Sequence, residues 1–243
     1  MTAGVVLFPG VPSGFAAGFT TLEGGAVDSP ALGRRLAVAF GVPDAEVARL
    51  AQVHGRNVLD AEGDLEPVRD RVLGEGDAVI TSSAGRLLAV ASADCTPVLL
   101  LDTRSGWIAA VHAGWRGTAA RVVSAAVESF RERGVEAKNL LAFFGPSISR
   151  ERYEVGPEVI AALRAAHAGD PVPEGAVRPG RGDRSFVDVA AFNRAELLAA
   201  GVREENVVDA GLCTASRADL FPSYRRDGAG TGRVLTGVVR LPR

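Results

Sequence analysis

The sequence predicts an α/β protein of mixed β-sheets flanked by helices, one domain over residues 1–243, and three observations predict it. Strand-like and helix-like segments alternate along most of the chain, with no internal repeat and no clear linker. The strand-like runs are short, apolar and bounded by turn residues. A chain of 243 residues, 47% of them apolar, is long enough to bury a full core, which argues against disorder.

Residues 14–21 form the first expected strand, which ends in the Glu23-Gly24-Gly25 turn. Over 31–40, Leu32, Leu36, Val38 and Phe40 scatter around a helix that Gly41-Val42-Pro43-Asp44 stops, and Asp44 is placed to cap a short helix over 45–48. A strand over 50–53 leads into His54-Gly55, and another follows at 57–61. The charged, glycine-bearing stretch 62–76 reads as an exposed loop. The central block holds strands at 78–81, 87–91, 97–101 and 107–111. Helix 117–133 then carries Ala120, Val123, Val127 and Phe130 at spacings of three and four, a buried stripe, and Gly134 supplies its left-handed stop. Residues 140–144 are a buried strand closing at Gly145-Pro146. Helices are expected at 157–167, with Pro157 in the first turn, and at 187–200, ended by Gly201. Between them, 169–184 is rich in Gly, Pro and charge and reads as a mobile loop. Strands at 207–212 and 234–239 complete the set.

Composition excludes several classes of function. With 27 basic and 29 acidic residues, the net charge of −2 creates no field that would gather nucleic acid or anionic lipid. The longest apolar runs are strand-length, far short of the roughly 20 residues that span a bilayer. Met1-Thr2-Ala3-Gly4-Val5-Val6-Leu7-Phe8-Pro9 has no basic n-region and no apolar stretch of signal-peptide length, so the cytoplasm is the expected location, where Cys95 and Cys213 stay reduced. Only His54, His112 and His167 are present, too few for a multicopper cluster but enough for one mononuclear site.

Cys95 lies in Ala93-Asp94-Cys95-Thr96-Pro97 and His112 in Val111-His112-Ala113-Gly114-Trp115-Arg116-Gly117, with Asp102-Thr103-Arg104-Ser105-Gly106 as the turn between their strands. A hairpin centred between Thr103 and Arg104 sets Cys95 directly opposite His112, with Cβ atoms about 4.5 to 5.5 Å apart, so the thiolate and imidazole can share one metal ion or one proton. His54, at a strand end beside Gly55, completes a two-histidine, one-cysteine set, the pattern of a catalytic zinc site with one position open. His167 falls near a helix end on a polar surface and reads as solvated.

Gln52-Val53-His54-Gly55, Asp77-Ala78 with Thr81, Ala93-Asp94-Cys95-Thr96-Pro97, His112-Ala113-Gly114-Trp115-Arg116-Gly117, Gly145-Pro146-Ser147-Ile148, Tyr153-Glu154-Val155-Gly156, Cys213-Thr214 and Ser223-Tyr224-Arg225-Arg226-Asp227-Gly228 together resemble the YfiH-like family. Its members were long labelled laccase-domain or polyphenol oxidases and are now described as purine nucleoside enzymes. The resemblance runs in order over nearly the whole chain. It implies an α/β fold of the cysteine-hydrolase type shared with deamidating toxins, and zinc held by His54, Cys95 and His112. It further implies phosphorolysis of adenosine, inosine, guanosine and methylthioadenosine, together with deamination of adenosine. Asp94 and Asp77 are then candidates for the acid that protonates departing ammonia, although each also suits a carboxylate that bonds the backbone in a turn. Arg116 and Arg226 are the candidates for binding phosphate, and Arg225 and Arg226 also read as a solvated pair. Leu22 stands where the family has an arginine, which puts phosphorolysis in question.

Two further readings remain open. A metal-free amide hydrolase acting on a cell-wall precursor needs only Cys95 as nucleophile and His112 as base. Copper loaded at the same site would support polyphenol oxidation as a side reaction. A binding module without catalysis would leave three potential ligands beside glycines as coincidence, and oligomeric state is not legible.

Overall fold

Two six-stranded sheets lie face to face, and helices cover their outer sides in the computed structural model, which describes residues 4–24, 29–63, 70–168 and 172–242. The chain starts with β1 (Val5–Leu7) and β2 (Phe15–Thr20), makes a 3-10 turn at Leu22–Gly24 and enters α1 (Ser29–Ala39). Strands β3 (Glu46–Ala51), β4 (Val58–Asp60), β5 (Asp70–Glu75), β6 (Ala78–Thr81), β7 (Arg86–Ser92), β8 (Thr96–Leu101) and β9 (Ile108–Ala113) follow. Helices α2 (Trp115–Ala119) and α3 (Val122–Glu132) precede β10 (Leu141–Phe144) and β11 (Glu154–Val155). Then come α4 (Pro157–Ala166), β12 (Val177–Pro179), β13 (Ser185–Val187), α5 (Val189–Ala199), β14 (Val207–Asp209), α6 (Tyr224–Asp227) and β15 (Val234–Arg240).

One sheet has the order β1-β2-β15-β7-β3-β5 and the other β14-β10-β8-β9-β6-β4, while β11, β13 and β12 form a small third sheet. Both large sheets are mixed: β3 runs parallel to β5 and β7, β4 to β6 and β10 to β14, and the remaining pairs are antiparallel. The period-two alternation of strands explains the layers. On β7, Leu87 and Ala89 meet Leu32, Leu36 and Ala37 of α1, while Leu88 and Val90 turn to the space between the sheets. On β8, Leu99 and Leu101 meet them there, and Val98 and Leu100 pack under Val123, Val127 and Phe130 of α3. A strand buried on both faces reads as an unbroken apolar run, as these do. Each such Leu or Phe contributes about 1.5 to 3 kcal/mol by leaving water.

The structure corrects several sequence expectations. The helix over 45–48 and the strand over 50–53 are one strand, β3, because ladder partners on both edges outweigh the capping signal of Asp44. Of the loop expected over 62–76, residues 64–69 lie outside the described ones and 70–75 form β5, an edge strand whose Asp70 pairs with Arg49 at 2.7 Å. The helix over 117–133 is broken: Arg121 sits at φ 65°, ψ 43°, and separates α2 from α3. Residues 169–171 of the expected loop over 169–184 are likewise outside the described ones, as is Gly25 of the first turn. The rest of 169–184 contributes β12, which pairs with β13. The last helix begins only at Val189, after Asp188 has accepted the Ala191 N–H at 3.0 Å. Among the described residues, no helix is long and apolar enough to cross a membrane.

Candidate active site

The β8–β9 ladder pairs Thr96 with Ala113 and Pro97 with His112, one residue further along each strand than expected. The turn is longer on its C-terminal side. Asp102 accepts the backbone N–H groups of Ser105 and Gly106 through its side chain and carbonyl, and Gly106 takes the left-handed conformation at φ 82° that closes the loop. Cys95 therefore stands just before β8, across from Gly114 rather than His112. A Cβ on Gly114 would lie 2.8 Å from the Cys95 sulfur and 3.0 Å from the His54 ring, so only glycine lets these groups approach.

His54 is exposed and sits in left-handed backbone at φ 60°. The strain is offset by Asp77, a wholly buried carboxylate at the foot of β6. It accepts the backbone N–H groups of Val53, His54 and Gly55 at 3.3, 3.0 and 2.6 Å. Its Oδ1 also lies 2.8 Å from His112 Nδ1, while its carbonyl accepts the His112 N–H at 2.7 Å. Asp77 thus fixes one histidine through the backbone and the other through the ring. With Nδ1 turned to a carboxylate, Nε2 of His112 is free to act as ligand or base. Gln52 anchors the same loop by exchanging amide hydrogen bonds with both backbone groups of Ala91, at 2.7 and 2.8 Å.

The ligand atoms of His54, Cys95 and His112 all lie within 4.8 Å of one another, and Cys95 Sγ is 3.9 Å from His54 Nε2. Ligands bonded at about 2.0 to 2.3 Å in a tetrahedron lie roughly 3.3 to 3.8 Å apart, so the soft thiolate and two imidazoles would close by about 1 Å at the widest pair to hold one zinc-like ion. Burial pushes the Cys95 thiol up, but hydrogen bonds and positive charge from His112 and His54 outweigh it and bring the thiol to about 6. Burial works against the His112 imidazolium, and hydrogen bonds with Asp77 and Cys95 overcome it, raising the ring to about 9. In the presence of a chelator, Cys95 is thiolate above that midpoint and thiol below it. Alkylation of the Cys95 peptide by iodoacetamide, followed by mass spectrometry, is therefore expected to be half-maximal near about 6, against about 8.5 for an ordinary cysteine. A midpoint above about 8 would remove the ion pair from the site.

Asp94 precedes Cys95 at φ 90°, and its carboxylate binds Thr214 Oγ1 at 2.6 Å and the Arg225 N–H at 2.7 Å. It ties the 213–214 and 224–225 segments to the cysteine. Asp94, His54, Cys95, His112 and Arg116 all line one cavity of about 670 Å³. Arg226 does not. It forks onto Asp227 and donates to the carbonyls of Thr214, Ala215 and Phe221, because successive residues of a helical turn point about 100° apart. Its neighbour Arg225 faces the cavity instead, with its guanidinium 4.8 Å above the Tyr153 ring. Leu22 is not among the lining residues. Trp115, Tyr153, Tyr224 and Arg233 line the cavity as well, and none was singled out from sequence. Trp115, Tyr153 and Tyr224 lie inside the quoted motifs, but nothing in their spacing signals a wall. Burial, with Cys95 next, pushes the Tyr153 phenol up to about 12. His167, expected in solvent, is buried between Leu163 O at 2.8 Å and Glu196 at 3.0 Å.

A two-sheet α/β fold with a His-Cys-His group lining a cavity defines a laccase-like class, and residues 31–241 match the family described as multi-copper polyphenol oxidoreductase laccase. The chain belongs to that family. It is 42% identical over 209 residues to a purine nucleoside phosphorylase of Deinococcus radiodurans, covering 86% of this chain and 76% of that protein. It is 38% identical over 164 residues to adenosine deaminase RL5 from an unknown prokaryotic organism, covering 68% and 62% of the two chains. The crystal structure of YlmD from Geobacillus stearothermophilus superposes with a TM-score of 0.86 at 27% identity, covering 100% of this chain and 98% of the other. Despite the family's multi-copper description, the third histidine is sequestered against Glu196, which leaves imidazoles for one ion.

Proposed function

We propose that the chain is a zinc-dependent purine nucleoside enzyme that phosphorolyses adenosine, inosine, guanosine and methylthioadenosine and deaminates adenosine. The observation that carries this reading is the convergence of His54, Cys95 and His112 on a cavity that also presents Trp115, Tyr153, Arg116 and Arg225. The two aromatic residues offer faces to a purine. Arg116 and Arg225, whose guanidiniums lie 4.4 Å over Trp115 and 4.8 Å over Tyr153, supply fixed positive charge for phosphate, the role expected of Arg116 and Arg226. His54, Cys95 and His112 would hold a zinc ion, which would supply Lewis acidity and an activated water when bound.

Asp77 and Asp94, the expected acids, take positioning roles in this reading. Hydrogen bonds from His112 and Gly55, together with the charge of His112, more than offset burial and hold the Asp77 carboxyl below its ordinary range, so it has no proton to give at neutral pH. Both Asp94 oxygens are occupied. The Tyr153 phenol stays protonated and lines the cavity, where it can donate a hydrogen bond. The test is incubation with adenosine and phosphate and chromatographic separation of adenine, inosine and hypoxanthine. Adenine and inosine are both expected, and unchanged adenosine would overturn the reading.

A second reading has its own support. Cys95, His112 and Asp77 are also the nucleophile, base and orienting carboxylate of a metal-free amide hydrolase. It leaves His54 without a chemical role.

A further inference from the structure

A second cavity of about 410 Å³ adjoins the first, and Trp115, Arg116, Tyr153 and Arg225 line both. The two guanidiniums lie over the two aromatic rings, so cation–π contacts hold the partition. Beyond it the charges balance. Arg116, Arg184 and Arg225 face the second cavity, and so do Glu154, Glu158 and Asp183. Arg116, Arg184, Glu158 and Asp183 form no ion pair among the described residues. Arg225 spends one N–H on the Glu154 carbonyl, and Glu154 accepts the Arg181 N–H at 2.9 Å. The ten-residue helix α4 opens onto this space through Gly156, which caps it without a side-chain hydrogen bond, and the Glu158 carboxylate folds back over that glycine.

A phosphate dianion here would meet three carboxylates, and a simple cation would meet three guanidiniums. The group that satisfies both signs carries both. An α-carboxylate fits Arg184 and Arg116, and an α-ammonium fits Asp183 and Glu158. We propose that the second cavity is the subsite for the zwitterionic amino-acid end of a 5′-substituted purine nucleoside whose base and ribose occupy the first cavity. This rests on the purine nucleoside reading and names a further substrate class for it: nucleosides whose 5′-thioether ends in an α-amino acid.

The proposal is tested by titration calorimetry of the purified protein with two probes, methylthioadenosine and S-adenosylhomocysteine, which differ by the amino-acid end. The second is expected to bind about tenfold more tightly or better, since two charge-assisted contacts are gained. The double variant Asp183→Asn, Arg184→Ala changes no residue of the first cavity. It is expected to abolish the preference while leaving the dissociation constant of methylthioadenosine unchanged. If methylthioadenosine binds and the amino-acid probe binds no tighter, or if the preference survives in the double variant, the subsite is overturned and the nucleoside reading stands. If neither probe binds, the nucleoside reading falls and the subsite with it.

Discussion

Replacing His54 with Ala is expected to reduce bound zinc to less than about a tenth of the wild-type content and nucleoside turnover by about 10³-fold, because a site with three protein ligands loses one. The protein is expected to stay folded. The ring is exposed, and its neighbours are the Cys95 sulfur at 3.9 Å and the His112 ring, whose centroid lies 4.9 Å away. Metal analysis, circular dichroism and turnover on one preparation give the answer. The metal-free hydrolase predicts the opposite, since Cys95, His112 and Asp77 are all retained. A folded variant with turnover within about threefold of wild type would favour that metal-free triad and remove His54 from the chemistry.

Asp77→Asn is expected to cost about 3 to 5 kcal/mol and to weaken metal binding by about 10- to 100-fold. The buried carboxylate accepts from three backbone N–H groups and one ring nitrogen. An amide must turn its own NH₂ toward some of those donors, leaving them unpaired inside the protein. For a chain of this size the melting temperature falls by about 10 °C. The pH dependence follows from the lowered carboxyl. A depressed native pKa adds stability that is complete above the unfolded carboxyl value of about 4 and is lost as pH falls through the native value. The gap between wild-type and variant melting temperatures is therefore expected to be constant near neutrality and to close in acid. A variant that melts within about 2 °C of wild type at pH 7 would show that Asp77 does not organise the loop.

The layered fold was legible because its strands are buried on both faces. Runs such as Val98-Leu99-Leu100-Leu101 need no knowledge of their neighbours to be read as strands. Segments whose form depends on partners were not: β3 and β5 are polar or charged at several positions and become strands only by pairing with one another and with β7. Nor did local spacing reveal the left-handed Arg121 that breaks the expected helix, since the apolar stripe from Val123 to Phe130 continues past it in phase. At the site, the candidate ligands that the structure brings together were readable from local setting, histidine or cysteine beside a glycine or a turn. The register was not, because two extra residues in the 102–107 turn shift every pair of the hairpin. Arg225 and Arg226 show the same limit on a smaller scale. Adjacent and chemically identical, they are assigned to cavity and scaffold only by the turn of α6.

The chain crosses from one large sheet to the other between β7 and β8, and Cys95 lies in that crossing. His54 follows β3 of the first sheet, and His112 belongs to β9 of the second. An ion bound by all three would bolt the two halves of the sandwich together across their shared core, as a covalent staple would. Shear between the sheets would then strain the bonds to that ion, so its affinity would gauge how well the two halves are aligned.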